Sequence, residues 1–288
     1  MNKTKIAPFL ITAFILFQGV FVAAQNGRTP ALEEFPTFKK STLLVVLYEN
    51  EPEYNRVIKS AIESYWTITP YKFIQYSELN EYINNYDFSM LVRNGSERIV
   101  KRVNSTDRIK SNHLAIYNGN KGLNLRSYTG ADALTQFQFK DIEQTSDYAY
   151  LLPAVIQSMQ HYLNFIDKEE ISEDNHEKKV EIFNNELAGT IGEKTLFLLE
   201  EQLSGDFKDI EKIQKAYKHN VQIVDKEILA QAIEEQNPNV VFMYLDPRVK
   251  DIYILAADGG RILYHASVHE RGSITKRDFM NLSRNAGE

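Results

Sequence analysis

The chain contains no cysteine and a single tryptophan in 288 residues. Without thiols, disulfide stapling, cysteine nucleophiles, cysteine-ligated zinc and a lipid anchor on cysteine are all excluded. Glycine-rich phosphate loops are missing too. Tyr48-Glu49-Asn50-Glu51-Pro52 follows one strong apolar run and is acidic, while Leu203-Ser204-Gly205-Asp206 follows another with one glycine. No G-x-S-x-G elbow occurs, which removes ordinary α/β hydrolases. Lys and Arg form no patch or stripe, and the formal net charge is −6, so the electrostatic footprint of nucleic-acid binding is absent. No motif calls for a metal or a cofactor.

What is present begins at the N-terminus. Lys3 and Lys5 precede an apolar stretch, Ile6 to Val22, which ends in the small residues Val22-Ala23-Ala24 before polar Gln25-Asn26-Gly27-Arg28. Basic, apolar and small segments in that order read as a secretory signal peptide over residues 1–24, cleaved near Ala24. The expectation is an exported protein, periplasmic or secreted. The alternative is an uncleaved membrane anchor, since Ile6–Ala24 is just long enough to span a bilayer. Cleavage leaves 264 residues and, with two lysines gone, a formal charge of −8. That length supports one large or two medium domains.

The second feature is an internal echo about 150 residues apart. Thr42-Leu43-Leu44-Val45-Val46 matches Thr195-Leu196-Phe197-Leu198-Leu199, and Tyr71–Ile74 matches Val221–Val224. Leu79 and Ile83 match Leu229 and Ile233, and Leu114–Leu125 matches Ile252–Leu263 with Gly122 against Gly260. Short runs rich in branched residues are buried strands. Tyr54, Val57, Ile58, Ala61, Ile62 and Tyr65 fall on one helical face with Pro52 in the first turn. Ser77 is placed to cap a short helix, and Asn94-Gly95 and Asn118-Gly119 read as hairpin turns. In the second half, Phe207, Ile210, Ile213 and Tyr217 share a helical face.

The predicted fold is α/β: two tandem, similar units of strand-helix-strand-helix-strand, each followed by an antiparallel hairpin and a closing helix. The sheets are partly parallel and mixed. The division runs as a tether at 25–40, a first unit at 41–166 closed by a helix around Leu151–Ile166, a charged linker at 167–193 and a second unit at 194–288.

Candidate chemistry is thin. His265 and His269 have the i, i+4 spacing of helical zinc ligands, but His265 ends a predicted strand, where four residues span roughly 13 Å. Ser273-Ile274-Thr275-Lys276 has the S-x-x-K form of serine acyl enzymes without their companion motifs, and Ser273 reads as a helix cap. Glu49 and Glu51 lie just past the carboxyl end of the first strand, where open α/β sheets bind ligands. Their carboxylates, roughly 7 Å apart on extended chain, suit an acid/base pair for glycan cleavage. Glu200 and Glu201 hold the matching place in the second unit. Residues 65–88 carry eight aromatics, of which Trp66 and Tyr76 fall off the core-facing periods. Glu49, Glu51, Trp66 and Tyr76 are therefore the candidate ligand-binding set. Asn-x-Ser/Thr sequons stand at Asn94 and Asn104.

The functional expectation is a non-enzymatic, exported two-lobed protein that binds a partner protein, a small molecule or a glycan. The alternatives are a glycan-directed secreted hydrolase using Glu49 and Glu51, and an envelope scaffold held by an uncleaved N-terminus.

Overall fold

The computed structural model describes residues 30–101, 106–120, 133–139, 148–168, 171–203, 205–246, 251–267 and 274–287. The signal segment, Gly122, Asn104, His269 and Ser273 lie outside them.

The strands form two five-stranded sheets. The first comprises β1 (Thr42–Leu47), β2 (Tyr71–Gln75), β3 (Phe88–Lys101), β4 (Thr106–Asn118) and β5 (Thr135–Phe139), in the order β2-β1-β3-β4-β5. The second comprises β6 (Thr195–Leu199), β7 (Val221–Val224), β8 (Val240–Asp246), β9 (Asp251–Ala256) and β10 (Ile262–Ser267), in the order β7-β6-β8-β9-β10. Each sheet is parallel across its first three strands and antiparallel thereafter. The two units are thus similar, strand for strand.

Helices fill the space between the sheets. Along β1, Leu43, Val45 and Leu47 face one apolar cluster while Leu44 and Val46 face another. Alternation along β8 divides Val240, Phe242 and Tyr244 from Val241, Met243 and Leu245 in the same way. The inner faces of both sheets share a single core with α2 (Pro52–Tyr65), α3 (Leu152–Lys168) and α6 (Lys226–Glu234). α5 (Ile210–Ala216) and α7 (Lys276–Asn285) cover the outer face of the second sheet. The two units therefore form one continuous body. Across the joint, the rings of Phe137 and Tyr244 lie 5.2 Å apart, and the Tyr244 hydroxyl donates to the Gln138 carbonyl at 3.1 Å.

Several local readings change. The stretch read as a tether contains α1 (Pro30–Phe38), whose Phe35 and Phe38, one turn apart, are buried in the shared core. The stretch read as a charged linker contains α4 (Glu173–Asn185), with His176, Val180, Phe183 and Asn184 on its buried face. α4 lies along the edge strand β10, where Asn185 Oδ1 accepts the His265 backbone N–H at 3.1 Å and satisfies an edge donor. Asn94-Gly95 is no turn: the β3–β4 ladder continues through it, pairing Asn94 with His113 and Gly95 with Asn112. Ser77 lies inside a 3₁₀ turn (Tyr76–Glu81) that starts at Gln75, whose N–H is taken by Glu78 at 2.6 Å. α7 is capped by Thr275, bonded to Asp278, in place of Ser273.

Candidate functional site: a cationic groove at the joint between the units

The strand-end set does not assemble. Glu49 is exposed. Glu51 spends both carboxylate oxygens on the Arg93 guanidinium, whose Nη1 also bonds the Tyr148 hydroxyl at 2.8 Å. The guanidinium lies over the rings of Tyr48 (4.6 Å) and Tyr54 (5.6 Å), and Tyr48 stacks on Tyr76 at 5.6 Å. Burial alone would disfavour the charge on Arg93, but the hydrogen bonds to Glu51 and Tyr148 more than offset it, so its pKa rises. Burial also raises the phenols of Tyr48 and Tyr54, which stay neutral. Trp66 is 5% exposed, packs on Phe38 and donates to Thr69 Oγ1 at 3.1 Å. It closes the far end of α2 from Glu51, about 22 Å away by helical rise. Tyr76 is half exposed over Tyr48. Glu49 and Glu51 thus follow the end of β1, Tyr76 follows the end of the neighbouring β2, and Trp66 belongs to the core.

In the second unit, Glu200 pairs with Lys208 at 3.3 Å and Glu201 with Lys226 at 3.5 Å, both largely exposed. These pairs rim an open hollow of about 650 Å³ at the ends of β6 and β7. Exposed pairs of this kind contribute little to stability. His265 lies flat on Tyr253, with ring centroids 4.5 Å apart. No group of three His, Asp or Glu that could hold a metal ion occurs among the described residues.

The built site lies elsewhere. α3 presents His161, Asn164, Phe165 and Lys168, an i, i+3, i+4, i+7 row on the face opposite its core residues Leu152, Val155, Ile156, Met159 and Leu163. α4 presents Lys179, Ile182 and Phe183, and its C-cap Glu186 completes a row of the same spacing. Between these rows runs a groove of about 660 Å³, completed by Arg261 from the β9–β10 hairpin of the second unit. Phe165 and Phe183 stack at 4.2 Å where the two rows meet. Tyr162 ties the helices together, its hydroxyl 3.0 Å from His176 Nε2.

The hairpin reaches the groove because two residues of its turn, Gly259 and Gly260, have no side chains. Gly259 and Gly260 have φ of +79° and +62°, and a Cβ on Gly260 would stand 2.1 Å from the Ala154 carbonyl oxygen on α3. Gln236 fastens the turn: its Oε1 accepts the Gly259 N–H at 2.9 Å and its Nε2 donates to the Ile233 carbonyl at 2.7 Å. Arg261 follows directly. Its guanidinium lies 3.5 Å from the Phe183 ring centroid, donates to the Phe183 carbonyl at 3.1 Å and pairs with Glu186.

Beside Arg261 the groove pinches into a small cavity of about 10 Å³, roughly one water in size, shared with Thr135, Ser158 and Tyr162. Arg261 Nε and Thr135 Oγ1 are buried there without partners among the described residues. Each such group, left dry, costs about 1–3 kcal/mol. Burial, then the Arg261 charge, lower the pKa of His161, with a hydrogen bond to the Gly259 backbone acting against them. His161 is therefore neutral near pH 7. Among its described residues the lining carries three cations, Lys168, Lys179 and Arg261, and one carboxylate, Glu186.

No family model, curated protein or solved structure matches the chain.

The sequence signal for this site was available in part. The rows on α3 and α4 have helical spacing, yet α4 looked like a solvated run. Arg261 meets residues 75 and 78 positions away, a contact that no local pattern announces.

Proposed function

We propose that the protein is an exported, non-enzymatic binding protein whose small-molecule ligand sits in the groove between α3 and α4. The observation that carries this reading is the groove itself. Its volume of about 660 Å³ is of drug-sized-ligand scale, and what sets it apart from the similarly sized hollow at the ends of β6 and β7 is that two facing helical rows and a residue of the other unit build it. A site at the joint also gives a reason for joining two similar units through one core. Export rests on residues 1–24. The hydrolase alternative loses its support, because an acid/base pair needs both carboxylates facing a substrate and Glu51 is committed to Arg93.

Thermal unfolding of the mature chain against a panel of small aromatic and aliphatic compounds of either charge tests the reading. At least one compound should raise Tm in the native chain and fail to do so in Asn164→Trp, whose ring fills the groove. Stabilisation that is equal in both chains would place the ligand elsewhere and end this proposal. Intact mass of the exported protein tests the other half: a mature chain beginning at Gln25 agrees with export, and a retained N-terminus turns the protein into an anchored scaffold.

A further inference from the structure

We infer that the ligand of the α3–α4 groove is a small organic anion with an apolar ring or chain, an inference that rests on the groove being the binding site. The charge argument comes first. The whole chain is acidic at −6, yet among the described residues of the groove wall Lys168, Lys179 and Arg261 stand with one carboxylate, Glu186, which is paired with Arg261. Lys168 has no ion-pair partner among the described residues, and its exposed ammonium stands at the groove. A concave site with a surplus of one sign draws the opposite charge, and low-dielectric walls concentrate that field.

Shape and apolar lining supply the second half. Ile182 is 53% exposed, unusual for an isoleucine, and stands on the groove next to Phe183. Phe165 lies half-buried against Phe183 in the same wall. A bare inorganic anion would leave this apolar surface wet, whereas an amphiphilic anion covers it while meeting the cations. The buried end adds a hydrogen-bonding demand: among the described residues Arg261 Nε–H has no acceptor, and Thr135 Oγ1, which lines the same cavity, has no partner. An oxygen of the ligand, or a water it traps in the one-water cavity, answers that demand. A cationic ligand would meet the ammonium of Lys168 and leave the Arg261 donor unmet.

The test uses two fluorescent probes with the same ring skeleton, anilinonaphthalene sulfonate and uncharged phenylnaphthylamine, titrated into the mature full-length chain. The sulfonate should bind about tenfold more tightly than the neutral probe. The double variant Lys168→Gln/Lys179→Gln should erase that preference by weakening the sulfonate about tenfold, with the neutral probe unchanged. Asn164→Trp should weaken both. Equal affinity of the two probes, with both lost in Asn164→Trp, would overturn the anion inference while leaving the groove as the site. Binding of both that Asn164→Trp leaves untouched would remove the groove reading and the anion inference with it.

Discussion

Gly260 lies so near Ala154 that a Cβ built on it would be 2.1 Å from the Ala154 carbonyl oxygen, and its φ is +62°. This close approach joins the second unit's hairpin to α3 of the first and delivers Arg261 to the groove. Gly260→Ala meets both the backbone strain and the clash, so a loss of about 2–4 kcal/mol is expected. Calorimetry should register a fall in Tm of roughly 5–12 °C. Gly189, with nothing within 4 Å of its added Cβ, is the control: Gly189→Ala should move Tm by less than about 2 °C.

The Glu51–Arg93 pair makes a second prediction. Its side chains are 23% and 21% exposed, so it lies between a surface pair and a buried one. Glu51→Gln and Arg93→Met should each cost about 1–3 kcal/mol, because each strands the partner's charge among the rings of Tyr48 and Tyr54. The double variant should cost less than the two together, read by urea unfolding. Strict additivity would mean that the pair contributes no coupling.

Acid should weaken the fold through His113. It is 4% exposed, its Nε2 has no partner among the described residues, and burial lowers its pKa from 6.5 to about 4. Below about 6.5 the unfolded chain takes up this proton first, so stability present above that pH is lost as pH falls towards 4. The contribution is up to about 3 kcal/mol. His161 and His176, also lowered by burial, act in the same direction. Urea unfolding at about pH 7.5 and 4.5 should show His113→Leu losing about 1–3 kcal/mol less than the native chain across that interval. Parallel losses would exclude His113 as the source.

Sequence reading and structure part company for physical reasons. The strands of both units were legible because apolar runs such as Leu43–Leu47 are buried on both faces, and α2 and α3 because their apolar positions recur with helical period. α4 was hidden because its buried stripe includes His176 and Asn184 amid charged neighbours, which no apolar count detects. Asn94-Gly95 carries a turn signature that β4 overrides by pairing straight through it. Glu51 stands between β1 and α2, but its partner Arg93 is 42 residues away, so a possible acid could not be told from half of an ion pair. Trp66 fell off the predicted helix face and still became core, because α1 brings Phe38 against it.

Hydrogen–deuterium exchange of the mature chain with and without anilinonaphthalene sulfonate tests the central claim most directly. The account predicts added protection over 161–168, 179–186 and the hairpin around Arg261, with the strand ends at 48–54 and 200–208 unchanged. Protection confined to those strand ends, with none along α3 and α4, would contradict it.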